Sequence, residues 1–395
     1  RVLSSVAMTD VSRDHGERKR KIRRRRYEAG AAGGLIAAAA VAVGMIVGSN
    51  SAADQEQEAR AVSPSKGLSD HVLAGQRTIG GFRGKTIPRP VKRAIRAGRL
   101  GGIILFAGNL GSRRDIRRLT GQLQDIKRPA GLRNTPLLIM VDQEGGLVKR
   151  LSGAPEVSAE AMGARGGNYS KRQGKLTGRN LRNAGINVDL APVLDVARPG
   201  GNIADTDRGF GSTASKVKRT AIPFAEGLQS TGTAATAKHF PGIGSIKVNT
   251  DDATQKVALS KAALRRVDEA PYRTFVAAGG DLVMLSNATY PAFSNKPAAF
   301  SKEIVTGELR DRLGFEGVTI TDSLEAVAAQ SFGSSRRLTV AGAKAGMDLM
   351  LFGTWYEALD GQDSMAKKLH SGSLKRKAFR ESVDRIIELR RQPGG

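Results

Sequence analysis

Eight short apolar runs, each bounded by glycine, proline or polar residues, recur between residues 76 and 352 with amphipathic stretches between them. This alternation limits the fold more than any other feature of the chain. The runs are Gln76–Phe82, Gly102–Phe106, Pro136–Val141, Asn187–Leu190, Thr233–Ala237, Asp281–Leu285, Gly317–Thr321 and Met347–Phe352. All are of strand length, and several, such as PLLIMV and DLVML, are apolar at consecutive positions, as strands buried on both faces of a parallel sheet must be. Between them SRRDIRRLTGQLQDI, the segment Gly174–Gly185 and KEIVTGELRDRLG read as amphipathic helices. Strand and helix alternating eight times predicts an α/β protein, a single (β/α)8 TIM-type barrel over residues 68–395. A closing helix is expected over Ser373–Arg391, with nothing left for a second domain.

The segment before the barrel has a different character. Residues 1–29 are polar and end in KRKIRRRRYE, a basic block expected to be disordered. Residues 30–48, GAAGGLIAAAAVAVGMIVG, carry no charge, and residues 49–67 form a polar linker. A positive flank, an apolar run and a polar exit predict an N-terminal apolar helix that targets a membrane, either as a signal peptide or as an uncleaved anchor. The barrel is then expected outside the cytoplasm, membrane-anchored or secreted, and monomeric.

The net charge of +26 raises the question of a polyanionic partner. Residues 1–29 account for +6 of it, with ten Lys and Arg against four Asp and Glu, and the rest is diffuse. With aromatics at 5% and no recognised nucleic-acid motif, nucleic-acid binding is not expected. There is no cysteine, and the four histidines (His15, His71, His239, His370) show no metal-ligand spacing. Neither a metal nor a cofactor is expected.

In a barrel of this type the chemistry collects at the C-terminal ends of the strands. The stretch Ala235–Asp252, ATAKHFPGIGSIKVNTDD, places Lys238 and His239 at such an end, followed by a glycine-broken loop with Asn249, Asp251 and Asp252. Asp142 in VDQEGG and Asp322 in TITDSL each leave a strand of nearly pure hydrophobes, and Asp195 and Asn287 hold similar positions. One such aspartate is an ordinary helix cap. Several carboxylates converging with Lys, His and Arg instead resemble a pocket for a polyhydroxylated substrate, with one carboxylate placed for nucleophilic or acid–base work.

Seven segments in order, GGIILFAGN, PLLIMVDQEGGLVKRL, INVDLAPVLDV, DTDRGFG, AKHFPGIG, LGFEGVTITDSL and AGMDLMLF, resemble glycoside hydrolase family 3, in its single-domain bacterial β-N-acetylglucosaminidase form. The resemblance covers residues 68–391 and implies a retaining glycosidase that removes terminal β-linked N-acetylhexosamine, with peptidoglycan and other cell-wall fragments as the carbohydrate partner. By motif, Asp322 matches the family's nucleophile, and Asp142, Arg150, Arg208, Lys238 and His239 match residues that bind sugar hydroxyls. The chain also departs from the pattern. Where single-domain members carry an Asp-Ser-His triplet that supplies the acid/base histidine, this sequence reads Asn249-Thr250-Asp251. Asp251 or Asp252 is then the candidate acid, with Asp251 favoured because the neighbouring like charge raises its carboxyl pKa. Two further readings stay open: a weakly active or inactive glycan-binding barrel, and glycosyl transfer to phosphate.

Overall fold

The computed structural model describes residues 63–392, so the basic tail, the apolar segment and most of the linker lie outside the described residues. Eight parallel strands form one sheet: β1 Thr78–Gly81, β2 Gly102–Ile104, β3 Leu138–Val141, β4 Val188–Asp189, β5 Ala234–Phe240, β6 Leu282–Leu285, β7 Val318–Thr321 and β8 Met350–Leu351. Each pairs with the next in sequence, and β8 pairs with β1 through Thr78–Met350 and Ile79–Leu351. The circle closes between β7 and β8, where the Leu349 amide donates to the Thr319 carbonyl at 2.8 Å and the Thr321 amide to the Leu349 carbonyl at 3.0 Å.

Alternation along each strand sorts the core into two layers. Leu138, Met140, Leu282, Met284, Val318 and Ile320 point into the barrel, while Ile139, Val141, Val283 and Leu285 face the surrounding helices. Ile386 and Leu389 of the last helix, Arg376–Arg391, enter the inner layer from the N-terminal ends of the strands and plug the barrel floor. The residues 63–67 assigned to the linker belong to this floor. Ser63 Oγ donates to Asp384 at 2.7 Å and the Ser65 amide donates to it at 2.8 Å, so the compact unit begins at Ser63.

Two segments differ from the reading of the sequence. The run Thr233–Ala237 becomes a longer strand that carries on through Lys238, His239 and Phe240, because the Lys238 carbonyl accepts from Leu194 at 2.7 Å and that of Phe240 from Ser286 at 2.9 Å. The stretch KEIVTGELRDRLG is wound as a wider π-helix over Glu303–Arg312.

The floor also holds a buried ion cluster. Asp348, just before β8, accepts from Arg385 at 2.7 Å and from Arg310 at 2.5 Å, while Arg77 donates to its carbonyl at 3.1 Å. Burial alone would raise the Asp348 pKa, but Arg310 and Arg385 outweigh it and hold the group down at about 2. A carboxyl with a depressed folded pKa stabilises the fold above its unfolded value and loses that contribution as pH falls. Asp348→Asn should therefore lower unfolding free energy at pH 7 by about 3 kcal/mol, since it leaves two partly buried guanidinium groups uncompensated. Urea unfolding checks this, and the variant should lose less stability than the parent between pH 5 and pH 2.

Candidate active site

The C-terminal ends of the strands enclose a cavity of about 400 Å³. Asp142, Arg150, Arg208, Lys238, His239, Asp251 and Asp322 all line it, so the structure brings these seven side chains to one place.

One wall of the cavity is built around a residue that the reading of motifs passed over. Glu144, two residues after Asp142, is almost fully buried and accepts from Arg208 Nε and Nη2, both at 2.8 Å, in a bidentate pair. Its carboxylate also lies 2.7 Å from Lys238 Nζ, which in turn donates to Asp142 at 2.7 Å. The result is a continuous chain, Arg208–Glu144–Lys238–Asp142. Burial pushes against the charges of Glu144, Lys238 and Arg208, yet Arg208 and Lys238 hold the Glu144 pKa far below the carboxylate range, and Asp142 and Glu144 push that of Lys238 up. Glu144, Lys238 and Arg208 are ionised at neutral pH. The signal was present in VDQEGG, since a short hairpin, Gln143–Gly145 with Val148–Lys149, follows β3. Gln143 pins this hairpin from inside: its amide group donates to Leu151 and Ala154 carbonyls at 2.9 and 3.0 Å and accepts the Arg150 amide at 2.9 Å.

His239 is held from behind. Its Nδ1 lies 2.8 Å from Asp195 Oδ2, and the other oxygen of this fully buried carboxylate accepts the Ile243 amide at 2.8 Å. Asp195 thereby fixes the ring and leaves Nε2 for the cavity.

Across the cavity Asp322 leaves β7 with its amide bonded to Leu285 and one carboxylate oxygen accepting from the Ser323 amide at 2.8 Å. Glu325, one turn further on, also lines the cavity and accepts from the Gly353 amide and the Thr354 hydroxyl. Asp251 projects from the loop after β5. Its backbone and that of Thr250 accept from Val327 and Ala328 at 3.2 and 3.1 Å, which ties the loop to the segment that follows Asp322. Enclosure of its carboxyl and then the Asp322 charge raise the Asp251 pKa, His239 and the Asn249 amide at 3.2 Å act against this, and Asp252 adds the smallest increment. Asp252 does not line the cavity. Among the described residues no cluster of His, Cys, Asp and Glu is arranged to hold a metal ion.

The glycosyl hydrolase family 3 N-terminal domain matches residues 77–389. The chain belongs to this family. As a member it is a glycosidase, and its relatives agree. A protein of Arthroderma benhamiae described as an uncharacterized secreted glycosyl hydrolase is 36% identical over 343 residues, 84% of this chain and 96% of its own length. The beta-hexosaminidase of Thioalkalivibrio sulfidiphilus is 34% identical over 68% of this chain and 78% of its own. Among solved structures, the family 3 beta-N-acetylglucosaminidase of Paenibacillus sp. str. FPU-7 superposes with a TM-score of 0.78 at 34% identity. That match covers 82% of this chain but 63% of the larger protein.

Glu144→Gln should cut kcat/KM on an aryl N-acetylglucosaminide by 10²-fold or more, in the order-of-magnitude range of ~3 kcal/mol for breaking a buried ion pair. Steady-state kinetics on the folded variant, verified by circular dichroism, measures it. An unchanged KM and kcat would show that the chain Arg208–Glu144–Lys238–Asp142 does not shape the sugar site.

Proposed function

We propose that the protein is a retaining exo-glycosidase that removes terminal β-linked N-acetylhexosamine, with Asp322 as nucleophile and Asp251 as acid/base. The observation that carries this reading is the pairing of two unlike carboxyls in one cavity. Asp322 is bonded to the Ser323 amide, whereas Asp251 faces Asp322's charge and is driven toward its protonated form. A carboxyl driven toward its protonated form beside one that accepts a backbone amide is a division of labour between acid and nucleophile.

In the first step an Asp322 oxygen attacks the anomeric carbon, the bond to the leaving oxygen breaks, and that oxygen takes the Asp251 proton. In the second step the Asp251 carboxylate takes a proton from water, whose oxygen attacks the anomeric carbon and releases Asp322 with the configuration retained. The chain Arg208–Glu144–Lys238–Asp142 offers fixed donors and acceptors to the ring hydroxyls, and charged groups make the stronger directional bonds. His239 adds a donor or acceptor at Nε2.

The natural substrate in this reading is a cell-wall glycan fragment, with peptidoglycan pieces as one source, and the enzyme works outside the cytoplasm. Supporting the location are the basic block followed by the uncharged run 30–48 and a relative described as secreted. Among the described residues no helix is long and apolar enough to cross a membrane.

Asp322→Ala should abolish turnover. Asp251→Ala should slow a disaccharide by about 10²–10⁴ and an activated aryl glycoside far less, since only a poor leaving group needs the proton. Because Asp251 must be protonated to act, disaccharide hydrolysis should fall as pH rises through its elevated pKa, and the aryl substrate should keep its rate to higher pH. An equal loss on both substrates in the Asp251 variant would remove that residue from the mechanism. Replacing Asn249 by Asp and Asp251 by His together should raise the disaccharide rate.

A further inference from the structure

A second cavity, of about 290 Å³, lies between the helix Ser335–Ala345 and the segment 296–303 that joins β6 to β7. It shares no residue with the active-site cavity. Its floor is apolar: Pro297, Phe300, Leu338 and Ala345 are buried and Ala341 is half-buried. Phe332 stands at the edge, 37% exposed although it is a large hydrophobe.

Four cations surround that floor. Arg337 and Lys344 are seven residues apart, two turns on one helix face, with Ala341 between them, while Lys296 and Lys302 come from the opposite wall. Among the described residues none of the four has a carboxylate within ion-pair distance. The one acid in the lining, Glu303, is bonded to the Ser301 hydroxyl at 2.8 Å and interacts at longer range with Lys296 and Lys302, so one carboxylate stands against four cations. Convergent like charges repel, and this arrangement is relieved by an anion seated between them. Exposed apolar surface within the same ring is relieved by an apolar body. The diffuse positive charge of the domain does not account for both features, since at physiological ionic strength charges beyond about 8 Å are screened and only the lining acts on a bound group.

We infer that this cavity is a binding site for a small amphiphilic anion, a carboxylate or phosphate head on a compact apolar body, separate from the sugar site. The volume lies at the lower end of ligand pockets, which fits a one-ring or short-chain body rather than a lipid surface.

Calorimetric titration with phenyl phosphate, inorganic phosphate and phenol on the purified protein tests each half of the ligand. Phenyl phosphate should bind saturably at one site, and the other two should bind at least about tenfold more weakly, a difference of about 1.4 kcal/mol. The double reversal Arg337→Glu with Lys344→Glu should weaken phenyl phosphate by at least that factor. Ala341→Trp, which fills the floor and alters no charge, should do the same. Reversing Arg114 and Arg117, exposed on the helix Arg113–Gln124, should change nothing. All variants should keep parental turnover of an aryl N-acetylglucosaminide. Inorganic phosphate binding as tightly as phenyl phosphate would reduce the site to a charged patch and overturn the inference. Binding that survives both the double reversal and Ala341→Trp would also overturn it. So would retention on phosphatidylglycerol vesicles, lost on the double reversal, in a protein that ignores phenyl phosphate.

Discussion

Four charges buried together, Arg208, Glu144, Lys238 and Asp142, are the constraint on which the active-site end of this barrel depends. Each would be costly to bury alone, and each is tolerable only because its neighbours carry the opposite sign at 2.7–2.8 Å. The four come from three places in the fold: β5 delivers Lys238, the end of β3 delivers Asp142 and Glu144, and the loop after β4 delivers Arg208. Satisfying the chain therefore fixes these three segments relative to one another. In the proposed mechanism a sugar entering the cavity meets donors and acceptors that are already oriented, so little reorganisation is left for the reaction itself.

The opposite wall works by contrast rather than by satisfaction. Asp322 and Asp251 are both carboxyls, and neither is matched with a cation as Glu144 is. Because the Thr250 and Asp251 carbonyls are bonded to Ala328 and Val327, the loop that carries Asp251 and the segment after Asp322 hold each other in place. In the proposed mechanism this suits an aspartate at position 251 to serve as the acid. It needs only to be kept protonated, which enclosure and the Asp322 charge promote.

Much of this was legible in the chain. All eight barrel strands fall within or beside the apolar runs, since strands covered by helices on one face and by the barrel interior on the other leave a continuous hydrophobic trace. Strand β5 was cut short in the reading because Lys238 and His239 look like loop residues. Their side chains are bought by the ion chain and by Asp195, which act at long sequence separation and leave no periodic signal. For the same reason Glu144 was overlooked although it stands beside Asp142: its partners, Arg208 and Lys238, are distant in sequence. The role of Ser63 and Ser65 was hidden likewise, as only contact with Asp384 draws the linker into the fold.

Trapping the covalent intermediate tests the division of roles between the two carboxyls most directly. A fluorinated N-acetylglucosaminyl fluoride slows both steps but carries its own good leaving group, so the glycosyl-enzyme accumulates. Peptide mapping by mass spectrometry should then find one sugar residue attached through an ester to Asp322, in the parent and in Asp251→Ala alike. A label on any other residue, or rapid turnover of the natural glycoside by a protein that never takes up the label, would contradict the mechanism.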